Sequence, residues 1–234
     1  MSRLRLTRSG GDNVAMRKER AVQGTRHAVA YPGAMDIEAQ VKDALRDYDR
    51  NLVEYRRLRD AFEVEIPSHL RQWGVLDFRV EARVKKRGSF EQKVRRDPSR
   101  PVLDMVGLRI MTFFRSDIPQ VEKMTRRLFD VAEESYIDKG ELLSDASFGY
   151  RSVQFVSHTR GDGIGGEFEA GIPVEVQIRT MLEHVWAEVE HDFRYKPQHD
   201  APSADVNRRF ALTAALLEQA DLNLDDIRRE LEDR

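Results

Sequence analysis

Residues 172–180 read IPVEVQIRT, and the reading of this stretch decides the rest. As a strand it sends Val174, Val176 and Ile178 to one face and Glu175, Gln177 and Arg179 to the other. The apolar row predicts packing on a core. A carboxylate, an amide and a guanidinium in one line are either solvated surface or the wall of a site.

Working outward, TMLEHVWAEVEHDFRY follows as a helix, with Leu182, Val185, Trp186 and Val189 expected as its apolar stripe. Upstream, FGYRSVQFVSH and PVLDMVGLRIMTFF read as strands, the latter buried, and IPQVEKMTRRLF lies between them as a helix. FRVEARVKKRGSFEQKVRR passes from a short strand through a Gly88-Ser89 turn into a basic helix. Residues 36–72 carry Val41, Ala44, Leu45, Tyr48, Leu52, Tyr55, Leu58 and Phe62 at helical spacing, as one long helix or a broken pair. Residues 203–231 read as helical again, in two segments meeting near Asp221. Interleaved strands and helices without a repeat give one α/β domain over 35–200, after a leader at 1–34 and before a helical extension at 201–234.

Composition sets the outer bounds. The 234 residues are 40% hydrophobic and 34% charged, the profile of a soluble globular chain rich in charge. The lack of cysteine excludes disulfides and thiolate metal sites. No apolar run approaches the roughly 18 residues that cross a bilayer, and the N-terminus lacks the apolar core of a secretory signal. The expected location is the cytoplasm, without a membrane partner. Net charge is only −2, yet residues 1–34 hold seven basic residues against Asp12 and Glu19. This leader reads as an unstructured extension or a nucleic-acid tether, and Met35 is an alternative start.

Four segments hold polar residues suited to chemistry. Arg83, Lys85, Lys86, Arg87, Lys93, Arg95 and Arg96 around Gly88-Ser89 form either a solvated basic helix or a cationic wall for a polyphosphate. No P-loop pattern is present. Asp104, beside an apolar run, is a strand-end turn residue or an oxygen ligand for Mg²⁺. In GYRS, Tyr150, Ser152 and Gln154 share a strand face, where the ring is half-buried or a stacking platform for a base. The fourth segment is the opening stretch.

In order, R-x-K with Ser four residues after the Lys and K-x-x-R beyond (Arg83, Lys85, Ser89, Lys93, Arg96), D-x-x-G-x-R (Asp104, Gly107, Arg109), GYRS (149–152), E-V-Q-I-R-T (175–180) and W-A-x-x-E-H (186–191) resemble the synthetase domain of the RelA/SpoT family in its small, single-domain form. The resemblance spans about residues 40–196. It implies an α+β, nucleotidyltransferase-like fold with a mixed central sheet flanked by helices. It also implies transfer of a pyrophosphoryl group from ATP to the ribose 3′-hydroxyl of GDP or GTP, giving the alarmones ppGpp and pppGpp. By similarity, Arg83 and Arg109 sandwich the adenine, and Lys85, Ser89, Lys93 and Arg96 hold the ATP phosphates. Asp104 and Glu175 bind Mg²⁺ as the catalytic pair, with Glu175 near the acceptor hydroxyl. Tyr150 stacks on the acceptor guanine, and Ser152, Gln177, Arg179 and His184 line or support the acceptor site.

The chain departs from the family in two places. Many members carry His where Gln154 stands, and small synthetases often have Asn at the position of His184; both touch acceptor identity. His184, Glu188 and His191 share a helix face, but not the H-E-x-x-H spacing of a zinc site. His191-Asp192 and His199-Asp200 are like dipeptides of the alarmone hydrolase, which is a separate upstream domain, so no hydrolysis is expected. Alternative readings are a toxin that pyrophosphorylates the 3′ end of tRNA and a non-catalytic nucleotide or RNA sensor. Small synthetases often form tetramers through terminal helices, and Phe210, Leu212, Leu216, Leu217, Leu222 and Leu224 suit either a homo-oligomer surface or a helix that covers the sheet.

Overall fold

Val174, Val176 and Ile178 have no solvent-accessible surface, so the apolar row of the central strand does pack on a core. The computed structural model describes residues 36–141, 149, 151–164, 168, 170–195 and 203–233. The leader and Tyr150 lie outside the described residues.

That strand, β6 (Pro173–Thr180), sits in the middle of a six-stranded mixed sheet. The strands β1 (Phe78–Val84), β2 (Val106–Thr112), β3 (Phe129–Val131), β4 (Ile137–Asp138) and β5 (Val153–Thr159) complete it, in the order β1-β2-β6-β5-β3 with β4 paired to β5. Only β2 and β6 run parallel; the other pairs are antiparallel. This is the mixed α/β architecture expected. β3 and β4 were not expected, because strands of three and two residues carry no readable alternation.

Helix α1 (Ile37–Gln72) runs unbroken through Pro67 and buries Val41, Ala44, Tyr48, Tyr55, Leu58, Phe62, Ile66 and Leu70. Steps of three, four and seven keep these on one stripe, which lies across β1 and β2 and forms the core with Val106, Leu108, Ile110 and Phe155. Phe62 meets Phe129 edge to face at 5.6 Å between centroids. Helix α2 (Arg87–Arg96) packs Phe90 and Val94 against α1, and α3 (Ile118–Leu128) begins with Pro119 in its first turn, where no donor is lost.

Helix α4 (Met181–Tyr195) starts without a loop. Thr180 Oγ1 accepts from Glu183 N at 3.1 Å while Glu183 Oε2 accepts from Thr180 N at 2.9 Å, a reciprocal cap that turns strand into helix. Helix α5 (Ala204–Glu232) is then capped by Ser203, whose hydroxyl accepts from Val206 N at 3.3 Å.

Four sequence expectations are corrected. Gly88 and Ser89 lie inside the first turn of α2, with Lys86 as the cap, and make no turn; Gly88 has open space around it and fits a helix without strain. The segment from Pro101 to Asp104 is irregular and the strand starts at Val106. Among the described side chains of α4 only Trp186 is buried, while Val185 and Val189 are 52% and 45% exposed, because this helix packs on α5. Finally, α5 is one helix through Asp221, which is buried rather than at a joint.

The reason for that last difference is the polar stripe of α5. Glu218, Asp221, Asp225 and Arg228 recur at helical spacing and face the body of the molecule. Thr180 Oγ1 donates to Asp221 at 2.7 Å, Ser116 N and Oγ donate to Asp225 at 3.1 and 2.7 Å, and Arg228 pairs with Asp117 at 2.8 Å. Arg151 pairs with Glu218 at 2.8 Å. The helix thus covers the ends of β2 and β6 instead of a sheet face.

Candidate active site

The polar row of β6 faces away from α1 and meets its neighbours in register. Arg83, Gly107 and Glu175 stand side by side across β1, β2 and β6, and the next row holds Glu81, Arg109, Gln177 and Gln154. A cleft of about 300 Å³ lies over both rows, lined by Arg83, Arg109, Glu175 and Gln177 together with Glu63, Glu81 and Gly107. Gly107 is what lets Arg83 lie down across the sheet. A Cβ there would come within 3.3 Å of the Arg83 Cγ and Nε atoms.

Helix α2 supplies the cationic wall. With Phe90 and Val94 committed to the core, Ser89, Lys93 and Arg96 at steps of four and three share an adjacent, exposed face. Lys85 and Lys93 both donate to Asp104, at 2.7 and 3.0 Å. Burial pushes the Asp104 carboxyl up, but the hydrogen bonds and charges of the two lysines outweigh it and hold the group below its ordinary value. Asp104 therefore stays ionised at neutral pH. It precedes β2 as Glu175 follows the start of β6, and because these strands are parallel both carboxylates sit at the same end of the sheet.

Helix α1 sets this wall. The Tyr48 hydroxyl donates to the Lys85 carbonyl at 2.7 Å, its ring lies 5.1 Å from that of Phe90, and Asp49 pairs with Arg87 at 3.0 Å. Tyr48 carries no signal in the sequence beyond its place on an apolar stripe.

On the α4 side the guanidinium of Arg179, only 2% exposed, donates to His184 Nδ1 at 2.6 Å. An arginine cannot accept, so Nδ1 is unprotonated and the neutral imidazole carries its proton on Nε2. Burial, then the Arg179 and Arg109 charges, push the His184 pKa down, which agrees. Glu188 bridges Arg179 and Arg109 at 3.4 and 3.1 Å, and Arg109 also reaches Glu81 at 3.3 Å. Glu81 and Glu188 were missed as site residues. Glu81 stands two before Arg83 in the same alternation, which was signal enough. Lys139 was missed too: burial lowers its pKa, Glu175 and Glu190 pull it back up, and Arg179 opposes them. It follows the two-residue β4, where no period could flag it.

Of the other expected acceptor residues, one is not described and one lies in a different cavity. Tyr150 is outside the described residues. Ser152, 4% exposed, lines a second cavity of about 190 Å³ with Arg115, Arg151 and Glu183, which shares no lining residue with the cleft. Among the described residues no group of three or more acidic or histidine side chains could hold a metal by itself, so His184, Glu188 and His191 do not form such a centre. A Mg²⁺ ion asks less of the protein, often one or two carboxylates with substrate phosphates completing its shell. Asp104 and Glu175, at the same end of the parallel β2–β6 pair, are the carboxylates that would meet that demand.

The mixed sheet carries two arginines and a carboxylate on its open face, with a lysine-held carboxylate at the same end, a charge pattern suited to a phosphate-bearing ligand. A sequence model of the region found in RelA / SpoT proteins matches residues 82–200, and the chain belongs to that family. It is 28% identical over 200 residues to the GTP pyrophosphokinase YjbM of Bacillus subtilis (strain 168), covering 80% of this chain and 92% of YjbM. The GTP pyrophosphokinase YwaC of the same organism is 24% identical, over 69% of this chain and 81% of its own. Among solved structures, the small alarmone synthetase 1 from Bacillus subtilis superposes with a TM-score of 0.63 at 28% identity, covering 80% of this chain and 98% of that one. The same enzyme bound to its product pppGpp gives 0.60 at 28% identity, over 79% and 98%.

Proposed function

We propose that this protein is a small alarmone synthetase that moves the β,γ-pyrophosphoryl group of ATP to the ribose 3′-hydroxyl of GDP or GTP. The observation that carries this reading is the cleft in which Arg83 and Arg109 stand in adjacent rows beside Glu175 and Gln177, while Lys85 and Lys93 hold Asp104 just ahead of β2. YjbM, named as a GTP pyrophosphokinase, and the pppGpp bound to its structural counterpart support the same chemistry.

In this reading the planar guanidinium groups of Arg83 and Arg109 take the two faces of the adenine, a role that a lysine point charge cannot fill. Arg109 exchanges its contacts to Glu81 and Glu188 for the base. Lys85, Lys93, Arg96 and Ser89 hold the phosphates. Asp104 and Glu175 would hold Mg²⁺, which would supply charge neutralisation to the transferring group. The 3′-oxygen bonds to the β-phosphorus as the bond from that phosphorus to the α-bridging oxygen breaks, and AMP leaves. Glu175 accepts the proton of the hydroxyl. Tyr150 stacks on the acceptor base, with Gln177, Arg179 and His184 beside it; Arg179 donates to His184, leaving Nε2–H as the donor that faces a ligand.

Self-association belongs to the same reading. Leu212, Leu216, Leu222 and Leu224 of α5 are 40–72% exposed because its polar stripe faces inward, and a second copy is the expected cover. Light scattering at micromolar concentration should return more than a monomer mass.

The acceptor is tested with ATP labelled on the γ-phosphate and Mg²⁺. Label should pass to GDP or GTP and far less to total tRNA, while label on the α-phosphate should stay with AMP. Label on tRNA alone would replace this reading with the toxin, and label on neither, with ATP still bound, with a sensor.

A further inference from the structure

We propose that Glu218 of α5 is a positioning residue for acceptor binding, acting through Arg151. The inference rests on the assignment of the acceptor to the Glu175–Gln177 side of the cleft. Arg151 Nη2 and Glu218 Oε1 are 2.8 Å apart and each side chain is 21% exposed, so the pair is shielded from bulk water. Arg115 approaches the same oxygen at 3.7 Å. One carboxylate therefore neutralises two guanidinium groups that would otherwise repel one another.

Arg151 is caught from three sides. Its side chain lies against Gly140, where a Cβ would come 3.3 Å from Nη1, and it lines one cavity with Asp138, Gly140 and Glu183 and another with Trp186, Leu217 and Glu218. What it anchors is the beginning of β5. Lys139 N donates to the Ser152 carbonyl at 3.0 Å, Asp138 pairs with Val153, and Ile137 with Gln154. Gln154 in turn stands opposite Gln177, whose side chain lines the cleft. A shift of Arg151 is thereby passed to the acceptor side of the cleft, while Arg83, Lys85, Lys93 and Asp104 stand across β2 and α2, away from it.

Glu218 is separable from the docking of its helix. Asp221, Asp225 and Arg228 hold α5 to Thr180, Ser116 and Asp117 without touching Arg151. Losing Glu218 should leave α5 seated, freeing Arg151 from its 2.8 Å pair and Arg115 from its longer 3.7 Å approach.

The test varies ATP and GDP or GTP independently in full-length protein. Glu218→Ala should raise the acceptor KM roughly tenfold while the ATP KM and kcat at saturating acceptor stay within roughly twofold. Glu218→Gln, which keeps volume and one hydrogen bond, should fall between and serves if the alanine variant fails to fold. Adding Arg151→Ala to Glu218→Ala should cost nothing further, because the two act as one unit. Asp225→Ala should lower the melting temperature and leave the acceptor KM alone. An unchanged acceptor KM in both Glu218 variants, or equal rises for both substrates, overturns the assignment. Amide hydrogen exchange gives a reading independent of turnover: Val153 and Gln154 should exchange faster in Glu218→Ala. If wild-type protein transfers nothing to GDP or GTP, the proposed activity falls, and unchanged exchange at these amides would then still overturn the role of Glu218.

Discussion

Two rows of charged and polar side chains organise this molecule, and they differ in whether their partners come with the chain. On β6, Glu175 and Gln177 open onto a cleft. On α5, Glu218, Asp221, Asp225 and Arg228 close on Arg151, Thr180, Ser116 and Asp117 within the same protein. The first row leaves its chemistry for a ligand; the second uses it up in folding. Polar periodicity alone does not distinguish the two. What distinguishes them is whether a second element of the chain is laid over the row.

If the contrast holds, substitutions in the first row change turnover and not stability, and those at Asp221, Asp225 and Arg228 in the second do the reverse, while Glu218 acts on acceptor binding through Arg151. The largest effect should come from Glu175→Gln or Asp104→Asn, each expected to cut transfer on the order of a hundred- to a thousand-fold with circular dichroism intact. Near-wild-type turnover in either would remove that carboxylate from the chemistry.

Next comes pH, read at the α4–α5 joint. Burial pushes the Glu183 carboxyl up to about 7 and raises Asp221 as well, with Thr180, Arg115 and Arg151 opposing. Below about pH 4.5 both folded and unfolded chains hold the Glu183 proton; between there and about 7 only the folded chain does. Stability from this group is thus lost as pH rises through that window, by at most about 3 kcal/mol. Urea midpoints should fall from pH 5 to pH 7.5, and Glu183→Gln should flatten the fall. A midpoint that rises over the same range in wild type and variant alike would contradict the environment described for Glu183.

Asp225→Ala follows, stripping the Ser116 amide and hydroxyl of their acceptor. A loss of about 1–3 kcal/mol in urea unfolding is expected, with the ATP KM unchanged. The smallest effect should be Arg109→Lys, which keeps charge but loses the planar face. A rise in ATP KM of roughly tenfold, without a shift in melting temperature, is the expected outcome. An equal effect on stability would mark Arg109 as a fold residue tied to Glu81 and Glu188.

Much of the sheet was legible because β1, β2, β5 and β6 have one apolar face each and long enough alternation to show it. The motif residues Arg83, Arg109, Glu175 and Gln177 meet in one cleft because register follows from that alternation. β3 and β4 were too short to read. The α4 stripe misled because hydrophobicity was taken as burial, although Val185 and Val189 face outward. The inward stripe of α5 was invisible for the opposite reason: acids and an arginine look like solvent residues until Thr180 and Ser116 are placed against them. Glu188 acquires its role from arginines on β2 and β6, and no local window contains all three.

The one parallel pairing, β2 with β6, has a consequence for how the protein is made. Gly107 and Glu175 become neighbours only after a long stretch of intervening chain has been threaded through α3, β3, β4 and β5. Such pairings carry a high loop-closure cost and form late. A ribosome that has emitted residues up to the end of β5 has produced the basic wall and Asp104, but not the strand that brings Glu175 and Gln177 beside them. The nascent polypeptide should therefore gain nucleotide competence abruptly, once β6 has emerged, and not by degrees.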